Sequence, residues 1–397
     1  MRKFFRKSVA MSNRGKELTR LCVLLWCWGR RGGGPRYTLH VAQALSRIPT
    51  LDLHLSLSRQ SELLTETKAL NLPIFAVDTY EGVLSAAWRT LVLPQLVRRF
   101  LAYLESQQID LVVNTMIHPW SGWVAPRLRS TKRAYVFTLH DATPHPGDRF
   151  IGWEAITRAN LKCADGVLVL SDHVRNRLLS HYHYPPERIC IVPHGPLAFP
   201  RPEAASPRPE RARRLLFFGR IRAYKGLSLL LEAFRQIAEH HDDLSLAVVG
   251  SGELDARAAR LATHPRIHLD NRWIPEHEVA AIFEAADLVV VPCVEASQSG
   301  VVEAAYGMGV PVVVTPVGGL CEQVVDGETG LIATAATSEA LAEAIITLCT
   351  DNTLYSRCRE GAQRAGRIEE TWDGIAQRLA AFFQQVRDRQ LTSPRGY

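Results

Sequence analysis

The sequence predicts an α/β protein made of two doubly wound, Rossmann-like domains that face each other across a cleft. Along residues 21–193, short apolar runs of the kind found in buried parallel strands alternate with helical patterns. A segment rich in proline and charge at 196–214 interrupts this alternation, which then restarts. Two such sheets in one chain place their ligand-binding edges on opposite walls of one cleft.

The individual elements follow from the same patterns. In the first half we expect a helix at about 37–47 and strands at 21–28, 51–57, 111–114, 134–139, 166–171 and 188–193. In the second half we expect helices at 227–240, 253–262, 276–285 and 300–308, and strands in the runs LLFFG, LAVVG, IHLD, LVVVP and PVVVT. A terminal helix is predicted at 371–390, where apolar residues recur at helical spacing: Trp372, Ile375, Leu379 and Phe383.

These elements predict five regions. A basic, disordered tail at 1–20 precedes a first α/β domain at 21–200, and a linker at 201–214 leads to a second α/β domain at 215–375. The last region, 376–397, is a helix and tail that we expect to pack back on the first domain. The tail lacks the apolar stretch and cleavage site of a secretory signal, and translation could start at Met1 or at Met11.

Charge and cysteine usage exclude several functional classes. The net charge is +7, but residues 1–36 alone contribute +9, so the body of the protein does not predict a nucleic-acid-binding surface. The eight cysteines form no C-x-x-C pair and no Cys/His ligand spacing, which favours reduced, buried cysteines in a cytoplasmic protein. The longest apolar run, 21–28, is too short to span a bilayer.

Two glutamates eight residues apart lie around the start of a predicted helix. Glu295 is in the loop after the LVVVP strand, and Glu303 is on the helix that begins near Ser299. The N-terminus of a helix suits a phosphate group, because its N–H groups are unpaired and it carries about half a positive charge. Carboxylates accept hydrogen bonds from sugar hydroxyls. The pattern therefore favours a site for a nucleoside diphosphate sugar over the alternative of two solvated glutamates.

A second motif places two cations directly after a strand. The run FFGRIRAYKG contains Arg220 and Lys225 between the LLFFG strand and the following helix. Arginine can grip two phosphate oxygens while lysine acts as a point charge, and fixed cations stabilise a diphosphate that gains charge as it leaves. A solvated loop is the alternative interpretation, which this position between strand and helix disfavours.

The first half contributes a glycine loop and a histidine-rich strand end. Gly32, Gly33 and Gly34 follow the first strand and allow a ligand to approach the backbone closely, or they form only a tight turn. The loop does not match a dinucleotide-binding fingerprint, since Tyr37 occupies the position of its last glycine. His140 follows the strand AYVFTL, at the edge of the sheet where ligands bind.

With these motifs the sequence resembles the GT-B glycosyltransferases of glycosyltransferase family four. The resemblance covers about residues 21–375 and rests on the glycine loop, FFGRIRAYKG, the E-x7-E pair and PVVVTPVGGLCE, in that order. One departure follows Glu295, where many members have Gly-Phe-Gly. This chain has Ala296, Ser297 and Gln298, with its glycine delayed to Gly300. The departure concerns the identity of the sugar more than the class of reaction.

The resemblance implies roles for particular residues. It implies catalytic roles for His140, Glu295, Arg220 and Lys225. Beside His140, we expect Asp141 either to orient that histidine or to contact the acceptor, and His145 to reach the cleft on the acceptor side. The resemblance also implies a donor site formed by Gly33, Gly34, Gly219, Arg220, Lys225, Glu295, Ser299, Gly300, Val301 and Glu303. His194 and Gly195 occupy the place of a family Asn-Gly at the rim of the cleft. Family members retain the anomeric configuration of the transferred sugar.

The function expected from the sequence is therefore retaining transfer of a sugar from a nucleoside diphosphate sugar to a sugar or lipid-linked acceptor, in cell-surface polysaccharide or glycolipid synthesis. The chain has no D-x-D, so we expect no metal and no cofactor. Two alternatives remain: a nucleotide-dependent oxidoreductase or epimerase on the same type of sheet, and a sugar-nucleotide-binding protein without catalysis.

Residues 84–104 leave a further question open. The stretch mixes apolar residues with arginines, a pattern typical of helices that lie on anionic membranes and also of helices that pack on a core; Pro94 interrupts it. Together with the basic tail, it raises the expectation that the protein associates peripherally with the inner face of a membrane.

Overall fold

The structure is a computed structural model that describes residues 20–145, 152–199 and 211–392. The tail predicted to be disordered therefore lies, apart from its last residue, outside the described residues, as does most of the predicted linker. The described chain forms two parallel sheets, each flanked by helices, as the sequence predicts.

The first sheet has seven parallel strands in the order β3-β2-β1-β4-β5-β6-β7. The strands are β1 (Leu21–Cys27), β2 (Leu51–Ser58), β3 (Ile74–Val77), β4 (Leu111–Asn114), β5 (Ala134–Leu139), β6 (Gly166–Val169) and β7 (Ile189–Ile191). The helices between them are α1 (Gly33–Leu45), α2 (Leu64–Lys68), α3 (Val83–Leu91), α4 (Leu93–Ser106), α5 (Ser121–Arg129), α6 (Trp153–Cys163) and α7 (Asp172–Tyr182).

The second sheet has six parallel strands in the order β10-β9-β8-β11-β12-β13. They are β8 (Arg214–Phe218), β9 (Ser245–Gly250), β10 (Ile267–Asn271), β11 (Leu288–Val291), β12 (Val312–Val314) and β13 (Gly330–Ile332). The helices are α8 (Leu227–Ala238), α9 (Ala256–Leu261), α10 (Glu276–Glu284), α11 (Gly300–Gly307), α12 (Leu320–Gln323), α13 (Ser338–Thr350), α14 (Asn352–Ala365) and α15 (Ile368–Thr392).

Alternating side chains of the strands build a core on each face of each sheet. In β1, Val23 and Leu25 pack into one core and Leu24 and Trp26 pack into the other, and all four are fully buried. Burial on both faces explains why the strands read as continuous apolar runs.

In both sheets the strand order reverses next to the first strand, between β1 and β4 and between β8 and β11. Ligands bind at such switch points in this type of sheet.

The terminal helix α15 packs on the first domain and extends its core. Its side chains Trp372, Phe383 and Val386 are buried there with residues of β1 and α1. Trp372 donates a hydrogen bond from Nε1 to the carbonyl oxygen of Pro196, 2.9 Å away. A Cβ at Gly195 would lie 2.5 Å from this ring, so only glycine fits there. The helix begins at Ile368, so the boundary that we placed at 375/376 falls inside it.

Buried ionic contacts hold the two domains together on the α1 side. Arg36 is 3% exposed, and its guanidinium lies 3.0 Å from Glu66 of the first domain and 2.8 Å from Glu276 of the second. Burial raises the pKa of Glu276, and the guanidinium of Arg36 opposes this shift. Removing Arg36 is therefore costly, because it leaves the largely buried carboxylate of Glu276 uncompensated.

The eight cysteines are all unpaired. Five are buried and two are half-buried, but Cys321 is exposed, contrary to the expectation that the cysteines are buried. Cys321 lies on the short helix α12 beside the mouth of the cleft. It is exposed because it lies beyond the end of the buried strand β12. Among the described residues, no helix combines the length and the apolarity that crossing a membrane requires.

Candidate functional site

The candidate site lies between the carboxyl ends of the two sheets. The loops after β5 and β6 of the first domain meet the loops after β8, β11 and β12 of the second. His145, after β5, stacks on Tyr224, after β8, with ring centroids 4.6 Å apart. Ser171, after β6, donates a hydrogen bond to the carbonyl oxygen of Ser297 at 3.0 Å. The two walls of the cleft are therefore in direct contact at this edge.

Glu322 provides a second contact across the cleft, at the N-terminus of α7. Its two carboxylate oxygens accept hydrogen bonds from the backbone N–H groups of Asp172 and His173, at 2.7 and 2.8 Å. A carboxylate at this position compensates the positive end of the helix. Glu322 is the last residue of the PVVVTPVGGLCE motif, so this part of the motif joins the domains.

The N-terminus of α11 lies beside the loop that follows β8. Ser299 caps the helix, with its hydroxyl accepting from the N–H of Val301 at 3.3 Å. A Cβ at Gly219 would lie 3.7 Å from Val301 Cγ2, so the start of the Arg220–Lys225 loop touches the start of the helix. The positive end of a helix and a cationic loop are thus neighbours, which suits an anionic ligand.

Tyr224 organises the two cations of this loop. Arg220 is exposed, and its Nη2 lies 3.5 Å from the Tyr224 hydroxyl. Lys225 is half-buried, with its Nζ 5.1 Å from the centroid of the Tyr224 ring. Gly226 ends the turn at φ +70°, and a Cβ there would lie 1.8 Å from the carbonyl oxygen of Pro292. The loop is therefore held against β11, and the two cations project around one buried ring.

Glu303 is buried beneath the start of α11. It is 7% exposed, and its Oε1 accepts a hydrogen bond from the side-chain amide of Gln323 at 2.7 Å. The same Gln323 side chain accepts from the Ser299 N–H at 2.7 Å and donates to the Ser299 carbonyl at 3.2 Å. Gln323 thereby couples Glu303 to the helix cap. Burial raises the pKa of Glu303 to about 8, against the opposing effect of Gln323.

Replacing Glu303 with glutamine is expected to flatten the pH dependence of stability between about pH 4.5 and 8, the ordinary and the raised pKa of this carboxyl. In that window the unfolded chain has lost the Glu303 proton and the folded chain keeps it. Raising the pH therefore favours unfolding, by up to about 1.4 kcal/mol per pH unit, and glutamine removes this loss. Thermal melts from pH 5 to pH 8 measure the effect, with Glu360→Gln on α14 as the exposed control. Equal slopes for Glu303→Gln and the parent would contradict a protonated Glu303.

Glu295 takes part in a cluster that crosses the cleft. Its Oε1 lies 3.5 Å from His145 Nδ1 and 3.7 Å from Arg177 Nη1. His145 in turn donates from Nε2 to Asp141 Oδ1 at 3.1 Å, and Arg177 donates to the Thr143 hydroxyl at 2.7 Å. The predicted residues Glu295, Asp141 and His145 therefore come together from two domains, with Arg177 as a fourth member.

The charges of this cluster set the protonation of its histidine. Burial opposes the charged form of His145, but the carboxylates of Asp141 and Glu295 outweigh it and raise its pKa. Burial tends to raise the pKa of Asp141. The hydrogen bond from His145 outweighs burial, so the pKa of Asp141 lies below its ordinary value. The two carboxylates thus favour the cationic form of His145, which can donate a proton or a hydrogen bond at the mouth of the cleft.

A hydrogen-bonded chain connects His140 to the glycine loop. His140 donates from Nε2 to the carbonyl oxygen of Thr115 at 2.8 Å, and the hydroxyls of Thr115 and Thr38 lie 2.7 Å apart. Thr38 donates to the carbonyl of Gly34 at 2.8 Å, in the first turn of α1, which begins at Gly33. Burial lowers the pKa of His140, so its imidazole is neutral. The hydrogen bond from His140 to the Thr115 carbonyl places the proton on Nε2 and leaves Nδ1 as an acceptor.

His194 lies deeper than its predicted place at the rim of the cleft. It is buried, its Nδ1 donates to the carbonyl of Gly195 at 2.8 Å, and its ring packs 5.1 Å from that of Tyr37. Tyr37 also contacts His140 edge to face at 5.2 Å. His194 therefore supports His140 through a shared neighbour.

Sequence reasoning missed several residues of the site, among them Tyr224, Gln323 and Arg177. Tyr224 stands between Arg220 and Lys225 in the cationic motif, and Gln323 directly follows the PVVVTPVGGLCE motif. Their positions beside these motifs are the signal that could have identified them. Arg177 lies on α7 with no motif around it, and only the folded chain brings it to Glu295.

Both domains of the chain are similar to known proteins. A model of group 1 glycosyl transferases matches residues 212–351, and a model of Glycosyltransferase Family 4 matches residues 31–195. A D-inositol 3-phosphate glycosyltransferase from Corynebacterium glutamicum (strain R) is 30% identical over 247 residues, which are 56% of this chain and 58% of the relative. The chain thus spans little more than half the length of this curated relative.

Solved structures share the fold at low sequence identity. Anabaena HepE in complex with UDP and glucose superposes with a TM-score of 0.68 at 18% identity, over 92% of this chain and all of that one. Sucrose-phosphate synthase from Thermosynechococcus elongatus gives a TM-score of 0.68 at 20% identity, over 92% and 99% of the two chains. These structures show the GT-B fold. The two consecutive family models, which together match more than half of the chain, show that it belongs to the family 4, or group 1, glycosyltransferases.

Proposed function

We propose that this chain is a retaining glycosyltransferase that moves a sugar from a nucleoside diphosphate sugar to an acceptor hydroxyl, without a divalent metal. One observation carries the proposal: the helix cap at Ser299, the buried Glu303 below it and the cationic loop with Arg220 and Lys225 adjoin one another at the switch point of the second sheet. Family membership supports the class of reaction.

In this proposal the second domain binds the donor. Arg220, Lys225 and the N-terminus of α11 bind the diphosphate, and Glu303 accepts hydrogen bonds from the ribose hydroxyls. The charge of the diphosphate grows as the bond to the sugar breaks, so fixed cations stabilise the transition state more than the ground state. That HepE was solved with UDP and glucose in the same fold supports a nucleotide-sugar donor.

The residues between the domains act on the transferred sugar and the acceptor. Glu295 and the neutral His140 contact the transferred sugar, and Asp141 and His145 lie on the acceptor side. We propose that the acceptor attacks on the face from which the diphosphate departs, through an oxocarbenium-like state and without a glycosyl-enzyme intermediate. The acceptor is a sugar or a lipid-linked sugar, and the product belongs to a cell-surface polysaccharide or glycolipid.

A thermal-shift panel of nucleoside diphosphate sugars tests donor binding first. A ligand that binds only the folded chain raises the melting temperature, and the donor that gives the largest shift identifies the nucleotide and the sugar. That donor is then incubated with candidate acceptors, and the products are analysed for a new glycosidic bond and its anomeric configuration. An isomerised or oxidised sugar formed without an acceptor would favour an epimerase or oxidoreductase, and binding without any product would favour a non-catalytic protein.

Turnover is expected to persist in the presence of a chelator such as EDTA, because Arg220, Lys225 and the helix terminus take the place of a metal on the diphosphate. The measurement is the rate of release of the nucleoside diphosphate before and after chelation. Complete loss of turnover that added Mg²⁺ restores would contradict the metal-independent mechanism.

Residues 84–104 belong to two helices, of which α4 packs on the core and α3 is exposed. Pro94 lies in the first turn of α4, which buries Leu93, Val97, Phe100 and Leu104. Helix α3 instead exposes Leu84, Trp88 and Leu91, at 89%, 64% and 73%, and Arg98 and Arg99 of α4 are also exposed. Apolar side chains flanked by cations are a basis for binding to anionic lipid, and we extend the proposal to this surface.

The double variant Trp88→Ser/Leu91→Ser is therefore expected to lose most binding to anionic phospholipid vesicles at low salt, as measured by vesicle co-sedimentation. The parent should bind, and high salt should weaken its binding, because the cations contribute through screened electrostatics. Leu391→Ser, an exposed leucine on α15, is the control and should bind like the parent. Failure of the parent to sediment with these vesicles would contradict a membrane role.

A further inference from the structure

A cluster of three potential metal ligands lies at the amino ends of β1 and β2. Cys22 and Asp52 are paired across the two strands, and His54 lies two residues further along β2, so all three are in register for the same face of the sheet. One ligand atom from each lies within 4.8 Å of the others. The cleft is formed at the carboxyl ends of the same strands, so the cluster is at the opposite edge of the sheet from the proposed transfer site.

The donor set suits zinc. A thiolate, an imidazole and a carboxylate are the ligand types that Zn²⁺ takes, in tetrahedral geometry with a fourth position for water. Bonds of 2.0–2.3 Å in a tetrahedron place the ligand atoms about 3.3–3.8 Å apart, so the present spacing requires a movement of only about 1 Å. Asp52 is exposed and Cys22 is half-buried, so solvent and a metal ion can reach the cluster.

Neighbouring groups orient the ligands. Nδ1 of the buried His54 lies 2.8 Å from the Tyr103 hydroxyl. In the tautomer with the proton on Nδ1, this nitrogen donates to the hydroxyl and Nε2 is the nitrogen that can bind a metal. A second hydrogen bond of this kind is typical of metal-binding histidines, because it fixes the tautomer and the ring. Asp110 also lies here, but its carboxylate already accepts from the Cys22 N–H at 3.1 Å and from Arg387 at 2.7 Å. Asp110 therefore adds negative charge without acting as a ligand.

We propose that Cys22, Asp52 and His54 bind a zinc ion that joins β1 to β2 and stabilises the first domain. Binding replaces the thiol proton of Cys22, which passes to solvent, and forms one bond each to sulfur, oxygen and nitrogen. The site is independent of the proposed sugar transfer, because it lies on the opposite edge of the sheet. Its effect is on stability, since an ion that binds only the folded chain shifts the equilibrium towards that state.

Cobalt binding to the full chain tests the ligand set. Co²⁺ is titrated into the purified, metal-free protein under reducing conditions, and a thiolate-to-cobalt charge-transfer band in the near ultraviolet reports the bond to sulfur. We expect a saturable band at one equivalent that Zn²⁺ removes by competition. Cys22→Ser should lose the band, Asp52→Asn and His54→Gln should bind at least tenfold more weakly, and Cys321→Ser, which removes the exposed cysteine, should behave like the parent. A band that survives in Cys22→Ser, or no saturable band in the parent, would overturn the proposal.

Two measurements separate loss of the site from loss of folding. Tyr103→Phe keeps all three ligands and removes only the orienting hydroxyl, so it should weaken cobalt binding severalfold while the circular dichroism spectrum stays that of the parent. Zn²⁺ should raise the melting temperature of the parent and not that of Cys22→Ser. An equal rise in both proteins would place the zinc elsewhere and overturn the proposal. Donor binding and sugar transfer are measured separately, so failure of either leaves this test unaffected.

Discussion

Lys225→Ala and Arg220→Ala are each expected to lower kcat/KM for sugar transfer at least tenfold, which corresponds to about 1.4 kcal/mol of transition-state stabilisation. Both cations lie around the Tyr224 ring, on the loop that touches the N-terminus of α11. A diphosphate in this position gains charge as it leaves, and each cation removed leaves part of that charge uncompensated. The measurement is steady-state release of the nucleoside diphosphate, with the donor identified by the thermal-shift panel.

Two further variants separate a specific role from general loss of charge. Arg222 is an exposed cation in the same loop, to which no role in binding is assigned, and Arg222→Ala should retain turnover within about twofold of the parent. Lys225→Arg keeps the charge but changes its geometry, so it should recover only part of the loss. Normal turnover in either Lys225→Ala or Arg220→Ala would contradict the assignment of the diphosphate site.

The fold could be predicted from the sequence because most strands are buried on both faces. Continuous apolar runs such as LVVV of β11 mark such strands, and the helical patterns between them imply parallel connections. Two strands were missed, β3 at Ile74–Val77 and β13 at Gly330–Ile332. Both are short and lie at the edges of their sheets, where one side lacks a neighbour and burial is incomplete. Their apolar signal is therefore too brief to distinguish them from loops.

Site residues could be predicted from the sequence only where their position follows directly from the neighbouring strand or helix. Loops that follow strands at a switch point face the cleft, so motif positions such as Glu295 and Arg220 were located by their strands. Contacts between distant segments carry no such signal. Glu295 meets His145 across 150 residues of sequence, and Gln323 joins Ser299 to Glu303 through a helix of only four residues. The Glu295–His145 contact depends on how the two domains dock, and the Gln323 contacts depend on how α12 packs against α11. Periodicity specifies neither.

Trp372→Ala is expected to destabilise the first domain by about 3–5 kcal/mol, the cost of truncating a buried aromatic side chain. Trp372 is 2% exposed, stacks on His40 with ring centroids 5.5 Å apart, and donates to the carbonyl of Pro196. Alanine leaves a cavity between α1 and α15 and an unpaired carbonyl at Pro196. Because a two-domain chain need not unfold in one step, the urea midpoint is followed by tryptophan fluorescence. Every other tryptophan except Trp273 belongs to the first domain, so this signal reports mainly on that domain.

The same substitution is expected to reduce transfer, because Trp372 also supports the wall of the cleft. Its ring lies 6.1 Å from that of Tyr37, which packs against both His140 and His194. Trp372→Phe should recover part of the stability, since it restores aromatic volume without the indole N–H. Leu391→Ala on the same helix is 63% exposed and should change stability by less than about 0.5 kcal/mol. If Trp372→Ala changed stability as little as Leu391→Ala, α15 would not be part of the first domain's core, and the Tyr37–His140 contact would have to depend on other neighbours.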